Sequence, residues 1–247
     1  VSVYADWIDR VMQGGGAEFL VNCNDLLSPD LASNNTAGNQ GHSSVAMNAA
    51  GDFVITWTSY GMDGVGDGAG PGFNGQNGVF ARSYTLNFDP SEDQRDNLFV
   101  SQSASGVFQV NDIAEENQQN SRVAMDADGD FVITWESEKQ DGSGYGIYAR
   151  RYARFVDVHY AMIFGSATPY LMIGQNPMLG PNGEMGGEIA VNVTKLGDQR
   201  FPGVAVDATG DAVIVWSGNG SLNASALTQQ VFYQRFARPT DNAGPTV

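Results

Sequence analysis

The sequence predicts an all-β fold of repeated four-stranded antiparallel sheets, with about three units in a propeller-like or open β-array. Related stretches occur three times, as VAMNAAGDFVITWTS (45–59), VAMDADGDFVITWES (123–137) and VAVDATGDAVIVWSG (204–218). Each holds two runs in which β-branched and aromatic residues alternate, as they do in strands. A Gly-Asp pair between the runs indicates a tight hairpin turn. Small β-units that repeat along a chain are typical of propellers and stacked arrays.

The spacing of the Gly-Asp pairs sets the unit boundaries. Gly51, Gly129 and Gly210 begin the pairs, and a Trp follows each of them six residues later. The period is therefore about 80 residues, with insertions of different length. The predicted divisions are a partial unit holding the last two strands at 1–22, unit 1 at 23–111, unit 2 at 112–192 and an incomplete unit 3 at 193–247.

Four strand-like segments recur within a unit. The first is SVAM, RVAM or GVAV, and the second is DFVITW or DAVIVW. The third begins at Val79, Ile147 and Val231, and the fourth reads VFQVN from Val107 or EIAVN from Glu188. The glycine in the turn between the first two strands is expected to have a positive φ.

The second strand has two distinct faces. Phe131, Ile133 and Trp135 share one face, while Glu136 and the residues between them share the other. We expect the first face to be core and the second to be only partly covered. The alternation with Phe and Ile favours core packing of the recurrent tryptophans over a role as sugar-stacking platforms.

The two ends of the chain look like parts of units. FLVN, ending at Asn22, matches the fourth-strand motif, whereas the sequence from Val231 onward stops after a third strand. The end strands are expected to complete one another, or to pair with neighbouring chains or with polypeptide beyond this sequence. With no initiator Met at Val1, we interpret the chain as a processed or truncated piece.

The insertion at 155–187 is unusually apolar for a connection. It contains four methionines together with Phe, Tyr, Leu and Ile residues. One interpretation is an extra hairpin of VHYAMIF and YLMIG that covers the core. The other is an apolar patch used for assembly, because Met side chains adapt to partner surfaces.

Composition and charge exclude several classes of partner. Lys and Arg total 12 against 28 Asp and Glu, so the formal charge of −16 repels nucleic acid and anionic membranes. A single cysteine, Cys23, excludes an internal disulfide and a cysteine-based zinc cluster. The most apolar stretch, 158–174, is interrupted by His159, Gly165 and Pro169, so no membrane span is expected.

Acidic residues in unit 2 are candidate calcium ligands. Asp126, Asp128 and Asp130, followed by Asp141, would supply oxygen ligands if the two loops lie on one edge. The alternative is that these residues cap turns by accepting backbone N–H bonds. Comparison of the units favours the alternative, because only the last Asp of the turn occurs in all three.

Catalysis has little support in the sequence, and no catalytic residue is predicted. The two histidines, His42 and His159, lie in no recognisable triad or metal-ligand context. Arg82, Arg150 and Arg235 recur in the third strand, where we expect them to pair with the acidic turn and stack on aromatic rings.

The stretch VAMDADGDFVITWESEKQDGSGYGIYARRY (123–152), with GGEIAVN (186–192), resembles a known repeat. Very large surface and secreted proteins of planctomycetes, cyanobacteria and marine proteobacteria carry it as Gly-Asp-Phe-Val-x-x-Trp before Gln-Asp-Gly-Ser-x-x-Gly-Ile-Tyr-Ala-x-Arg. The resemblance implies an extracellular, propeller-like β-repeat region, often beside calcium-binding or adhesive modules, and no catalytic residue. The insertions at 86–106 and 155–187 depart from the shorter family repeat.

These features predict a non-catalytic extracellular or cell-surface protein with a structural or adhesive role. It is expected to assemble with copies of itself or with other surface components, and calcium could stabilise it. The alternative is a secreted carbohydrate-binding or carbohydrate-active propeller whose partner is a polysaccharide.

Overall fold

The computed structural model describes residues 21–22, 38–60, 76–84, 107–157, 170–175, 187–219 and 229–237. Within these ranges every helix or strand assigned is a β-strand, and the strands form antiparallel sheets. The all-β prediction is therefore confirmed for the described residues. None of them forms a helix with the length and apolarity needed to cross a membrane.

The strands follow the repeat along the chain. In chain order they are β1 (Gln40–Met47), β2 (Phe53–Tyr60), β3 (Asn77–Tyr84), β4 (Phe108–Gln109), β5 (Gln118–Met125), β6 (Phe131–Glu138), β7 (Tyr145–Asp157), β8 (Tyr170–Gln175), β9 (Ile189–Ala190), β10 (Gln199–Val206), β11 (Ala212–Gly218) and β12 (Gln230–Phe236). The three glycines of the Gly-Asp pairs all have positive φ, between 86° and 92°, as expected for the tight turn of a β-hairpin.

Three sheets result, one for each repeated stretch. Sheet 1 has the order β1-β2-β3-β4, and sheet 3 has the order β10-β11-β12. Sheet 2 has the order β5-β6-β7-β8, and β9 also pairs with β7. The predicted fourth strands are present as β4 and β9, which are only two residues long. Sheet 2 therefore departs from the expected four strands by one, and sheet 3 shows three among the described residues.

The extra strand of sheet 2 comes from the apolar insertion. β8 corresponds to the predicted YLMIG strand, but it pairs with the extension of β7, from Tyr152↔Gln175 to Asp157↔Tyr170. The other half of the predicted hairpin, VHYAMIF, lies outside the described residues. The hairpin thus forms by lengthening an existing strand, which continues the ladder of hydrogen bonds already begun in sheet 2.

Consecutive sheets stack face to face. We call the face that carries Phe131, Ile133 and Trp135, and its equivalent in each sheet, the front face; the opposite face is the back face. One core cluster joins the back of sheet 1 to the front of sheet 2, and a second joins the back of sheet 2 to the front of sheet 3. The first strands β1, β5 and β10 contact one another in sequence. We call each such interface a unit junction.

Stacking buries both faces of the central strand β6. The front-face Trp135 is fully buried, as are Thr134 and Glu136 on the back face. The expectation that the second face is only partly covered is therefore wrong, because the next sheet packs on it. Core packing of the recurrent tryptophans is confirmed, since all three are at most 7% exposed.

Each first strand carries a β-bulge at the same position. The pairing register shifts between Gly41 and Ser44 in β1, and at the equivalent points of β5 and β10. The bulged residues His42, Asn120 and Phe201 have φ of 51°, 56° and 57°. Such values are uncommon for non-glycine residues, so the bulge is a repeated feature of the fold and not a local irregularity. The structure thus places His42 within strand β1.

The strand register corrects the equivalence expected for the arginines. Arg82 pairs with Ile55 and Arg150 with Ile133, both on the front face, whereas Arg235 pairs with Val213 on the back face. Arg82 and Arg150 donate from Nη1 to backbone carbonyls, at 3.0 Å to Val21 and 2.5 Å to Val110. Arg150 therefore binds the residue that follows the fourth strand β4, and Arg82 binds the equivalent Val-Asn pair at Val21.

The equivalent front-face residue of sheet 3 is Gln234, which is shorter than arginine. A cavity of about 190 Å³ lies beside it, lined in part by Asn192, Trp216 and Phe232. In sheets 1 and 2 the arginine side chain reaches across this position. The cavity thus marks a place where one unit lacks the side chain that the other two use.

Gln234→Arg is expected to stabilise the protein by about 1 kcal/mol, because the guanidinium would fill the cavity and donate to the Val191 carbonyl. The gain is limited because sheet 3 has Val193 at the position of Asp112, the residue that pairs with Arg150 in sheet 2. Urea denaturation measures the effect, with Gln234→Met as the control that fills volume without donating. Equal stabilisation by both variants would contradict the hydrogen-bond part of the argument.

Candidate functional site

The predicted calcium ligands lie at opposite ends of sheet 2. Asp126, Asp128 and Asp130 are in the turn between β5 and β6, whereas Asp141 is in the connection between β6 and β7. The eight-residue strand β6 separates the two loops, which places them more than about 20 Å apart along the strand. The four carboxylates therefore do not come together in one site.

The first acid of the turn organises the turn itself. Asp126 Oδ1 accepts hydrogen bonds from the backbone N–H groups of Asp128 and Asp130, both at 3.0 Å. Asn48 and Asp207 accept the equivalent pairs of bonds in the other two sheets. An amide oxygen serves as well as a carboxylate oxygen in this role, which explains why Asn is present in unit 1.

Arg151 supplies the positive charge beside this turn. Its side chain is 2% exposed, and Nη2 lies 3.9 Å from Asp126 Oδ2 and 3.8 Å from Asp130 Oδ2. Its Nη1 donates to the carbonyl of Gly210, in the turn of sheet 3, at 2.6 Å. Arg151 therefore compensates two buried acids and joins the turns of consecutive sheets across the unit junction.

Burial raises the pKa of Asp126 above its ordinary value of 3.8, and the nearby charge of Asp130 raises it further. The two backbone N–H groups and Arg151 act in the opposite direction without cancelling burial. A carboxyl group with a raised pKa in the folded state is stabilising when protonated. That contribution is complete below the ordinary pKa and is lost as the pH rises through the raised value.

Asp141, at the other end of the sheet, supports a second contact across the same unit junction. Its Oδ1 accepts from the Ser143 N–H at 3.1 Å, and its Oδ2 accepts from Asn192 Nδ2 at 3.2 Å. Asn192 Oδ1 accepts from the Ile147 N–H at 2.6 Å, and Nδ2 also donates to Gln199 in sheet 3. Asp141 thus orients an amide that bridges two sheets.

The same amide bridge links sheets 1 and 2. Asn111 Oδ1 accepts from the Val79 N–H at 2.8 Å, and Nδ2 donates to Gln118 Oε1 at 3.3 Å. The Val-Asn pair that ends each fourth strand is therefore a junction motif. Its asparagine ties the third strand of one sheet to the first strand of the next.

The strongest polar cluster surrounds Glu136, whose side chain is fully buried. Its Oε2 accepts from Arg200 Nε and Nη2, at 3.2 and 3.0 Å, and from Asn120 Nδ2 at 2.9 Å. Its Oε1 accepts from the Phe201 N–H at 2.6 Å. Arg200 also lies over the ring of Tyr145, 4.3 Å from its centroid. Glu136 therefore holds the bulges of β5 and β10 together.

The equivalent position in sheet 1 performs a simpler version of this role. Thr58 Oγ1 accepts from the N–H of the bulged Asn120 at 3.1 Å. At both junctions, the residue after the tryptophan thus binds the bulge of the following sheet. The pairing of Glu136 with Arg200 was not predicted from the sequence. The available signal was a charged residue inside a strand, at a position where the sister units carry only Thr or Ser.

Glu188 forms a further polar contact between sheets 1 and 2. Its Oε2 accepts from the Asp112 N–H at 2.9 Å, and its Oε1 accepts from Gln140. Burial raises the pKa of Glu188. Asp112 in turn pairs with Arg150, so this cluster fastens the end of the fourth strand of sheet 1 to sheet 2.

Within the described ranges, no three or more His, Cys, Asp or Glu side chains are grouped so that they could hold a metal ion. No protein-family model matches the chain, and no curated protein is significantly similar to it. The chemistry of the described clusters is therefore interpreted from their geometry, which joins one sheet to the next.

Asp126→Asn is expected to raise the free energy of unfolding at neutral pH, because the amide keeps the Oδ1 hydrogen bonds and removes a buried charge. The difference from wild type should shrink as the pH falls toward 3.8, where the wild-type carboxyl is protonated as well. Denaturation at a series of pH values measures this. Lower stability of the variant at neutral pH would contradict it.

The same measurement in excess chelator tests calcium. If the turn held a calcium ion, the chelator would destabilise the wild type and Asp126→Asn would be destabilising without it. Because Arg151 already supplies positive charge, we expect the chelator to leave the wild-type transition unchanged.

Glu136→Ala is expected to destabilise the protein by about 3 kcal/mol, because it leaves Arg200 and the Phe201 N–H without their acceptor. Thermal or urea unfolding measures the loss. Glu116→Ala is the matched control, since Glu116 forms an exposed pair with Lys139 and its removal should cost less than about 1 kcal/mol. Equal effects of the two substitutions would show that Glu136 does not hold the junction.

Proposed function

We propose that this chain is a non-catalytic structural or adhesive protein of the cell exterior, in which propeller-like β-units assemble with copies of the chain or with other surface components. The proposal rests on what the buried charged and amide groups bind. Glu136, Arg151 and Asn192 are each bonded across a unit junction. Their bonding capacity holds the array together and is not directed at a ligand.

The stacking of the sheets supports a propeller-like arrangement. Three antiparallel sheets pack face to face, and their first strands contact one another in order. These are the relations that neighbouring blades of a propeller have around its axis. An open stack of sheets shares them, so the closure of the ring is part of the proposal.

The acidic charge and the sequence resemblance support a location outside the cell. A charge of −16 keeps a surface protein soluble and disfavours nucleic acid. Calcium, which the sequence left open, is not part of this proposal. Arg151 already supplies positive charge beside the turn between β5 and β6, and Asp141 lies at the other end of β6.

A carbohydrate-binding or carbohydrate-active propeller is the competing function. Three exposed aromatic residues among those described, Tyr60, Phe201 and Tyr233, have the kind of side chain that stacks on sugar rings. Phe201 lies at a bulge and Tyr233 on the open face of sheet 3. The three repeated tryptophans are buried and supply no such surface.

The purified chain is expected to form particles larger than a monomer as its concentration rises, and to release no sugar from extracellular polysaccharides. Sedimentation velocity and electron microscopy measure assembly, and a glycan array with a reducing-sugar assay measures the alternative. Glycan binding abolished by Phe201→Ala or Tyr233→Ala would replace the structural proposal with the carbohydrate function.

A further inference from the structure

The back face of sheet 3 is apolar and open. Val213, Val215, Val231 and Tyr233 lie on it, and the last two are 81% and 74% exposed. The described residues therefore leave this face in contact with solvent. Exposure alternates along β11 and β12, because Ile214, Trp216 and Phe236 on the front face are buried in the junction with sheet 2.

The front face of sheet 1 is open along β1, whereas Trp57, Phe80 and Arg82 on the same face are buried, and Arg82 donates to the Val21 carbonyl. Val45 and Met47 project from β1 on this face and are 63% and 67% exposed. Beside them lies a groove of about 530 Å³, to which Ile55 and Trp57 contribute. Exposed apolar surface of this kind is characteristic of a site that packs against another protein surface.

The internal junctions show what covers each of these faces. Ile147 and Ala149 occupy in sheet 2 the positions of Val231 and Tyr233, and both are fully buried under sheet 3. Val123 occupies the position of Val45 and is only 7% exposed, because it packs on sheet 1. The open face of sheet 3 is thus one half of a unit junction, and the open face of sheet 1 is the other half.

Sheet 3 also carries the arginine that such a junction uses. Arg235 has the register position of Arg151, and it pairs with Asp211 of its own turn at 2.5 Å. Arg151 crosses to the carbonyl of Gly210 in the next sheet. The equivalent turn glycine of sheet 1 is Gly51.

A hydrogen-bond pair is in place as well. Thr58 and Glu136, which follow the first two repeated tryptophans, each accept from the bulge N–H of the next sheet. Ser217, which follows Trp216, has the equivalent position in sheet 3. The bulged residue of sheet 1 is His42. Its backbone N–H has the position of the Asn120 and Phe201 N–H groups in the internal junctions.

We propose that the back face of sheet 3 in one copy of this chain docks on the front face of sheet 1 in a second copy, with the geometry of the internal unit junctions. Arg235 then donates to the Gly51 carbonyl, and the Ser217 hydroxyl accepts from the His42 N–H. This inference rests on the assembly proposed above and specifies its surfaces. The occupant is a second copy, because the chain itself carries both halves of the junction.

The two faces are different, so the interface is heterologous and joins copies head to tail. Two copies contain six of the described sheets, a number at which propellers close, and more copies give an open series. Because each copy carries a charge of −16, long-range repulsion opposes the contact while the faces themselves are apolar. Added salt therefore strengthens the association by screening the repulsion.

The test places one charge on each face separately. Tyr233→Glu blocks the back face of sheet 3, and Met47→Glu blocks the front face of sheet 1. Each variant alone is expected to be monomeric, with association weakened at least about tenfold in sedimentation equilibrium. Leu196→Glu is the matched control, since Leu196 is 67% exposed in the connection between β9 and β10, and it should assemble like wild type.

Mixing the two blocked variants identifies the direction of assembly. Met47→Glu keeps its back face and Tyr233→Glu keeps its front face, so an equimolar mixture forms dimers and nothing larger. Circular dichroism and melting temperature establish that each variant is folded, and Val231→Glu replaces Tyr233→Glu if the latter is not. Arg235→Ala is expected to weaken wild-type association several-fold without changing the fold.

The outcomes separate this inference from the proposed function. Wild-type-like assembly of Met47→Glu or Tyr233→Glu would overturn the head-to-tail junction and leave a structural function that uses other surfaces. If only one of these two variants assembles, the interface joins like faces, which also overturns the head-to-tail junction. A wild-type chain that stays monomeric at every concentration and salt would overturn both the junction and self-assembly.

Discussion

Stacking in this protein follows from the fact that each sheet has two apolar faces. A β-strand alternates its side chains between faces, and in β6 both sets are buried, Trp135 on one side and Thr134 on the other. Such a sheet buries both faces fully only when another sheet packs on each of them. The back of one sheet and the front of the next therefore form a shared core, and these junctions join the sheets into one array.

Polar groups fix how consecutive sheets align, at three positions along the strands. Arg151 crosses between the hairpin turns, Asn192 crosses at the end of the fourth strand, and Glu136 crosses at the bulges. An apolar contact alone would tolerate sliding of one sheet on another, whereas a buried carboxylate has a low energy only with all of its donors in place. The bulges, with their positive φ, turn a backbone N–H toward that carboxylate or its threonine equivalent.

The same construction accounts for the proposed biological role. Sheets 1 and 3 each keep exposed apolar residues on one face, along β1 and on the back of sheet 3, and these surfaces repeat the two halves of an internal junction. Assembly by copies of the chain satisfies them with chemistry that the protein already uses twice. The variation of the acids in the turns fits this picture. Every turn needs an oxygen acceptor at its first position, and Asn48 provides one in unit 1. The turns of units 2 and 3 carry acids that pair with Arg151 and Arg235.

The repeat, the strands, the glycine turns and the buried tryptophans could be predicted from the sequence, since each depends on local periodicity and turn chemistry. The capping role of Asp126 was visible as an alternative, because Asn48 replaces it. Three matters depended on the tertiary structure. The buried partners of Glu136 come from strands about 16 and 65 residues away, which no local pattern relates. The separation of Asp141 from Asp126 follows from the course of β6 between their loops. The difference between Arg150 and Arg235 follows from strand pairing, because a shift of one residue moves a side chain to the other face of the sheet.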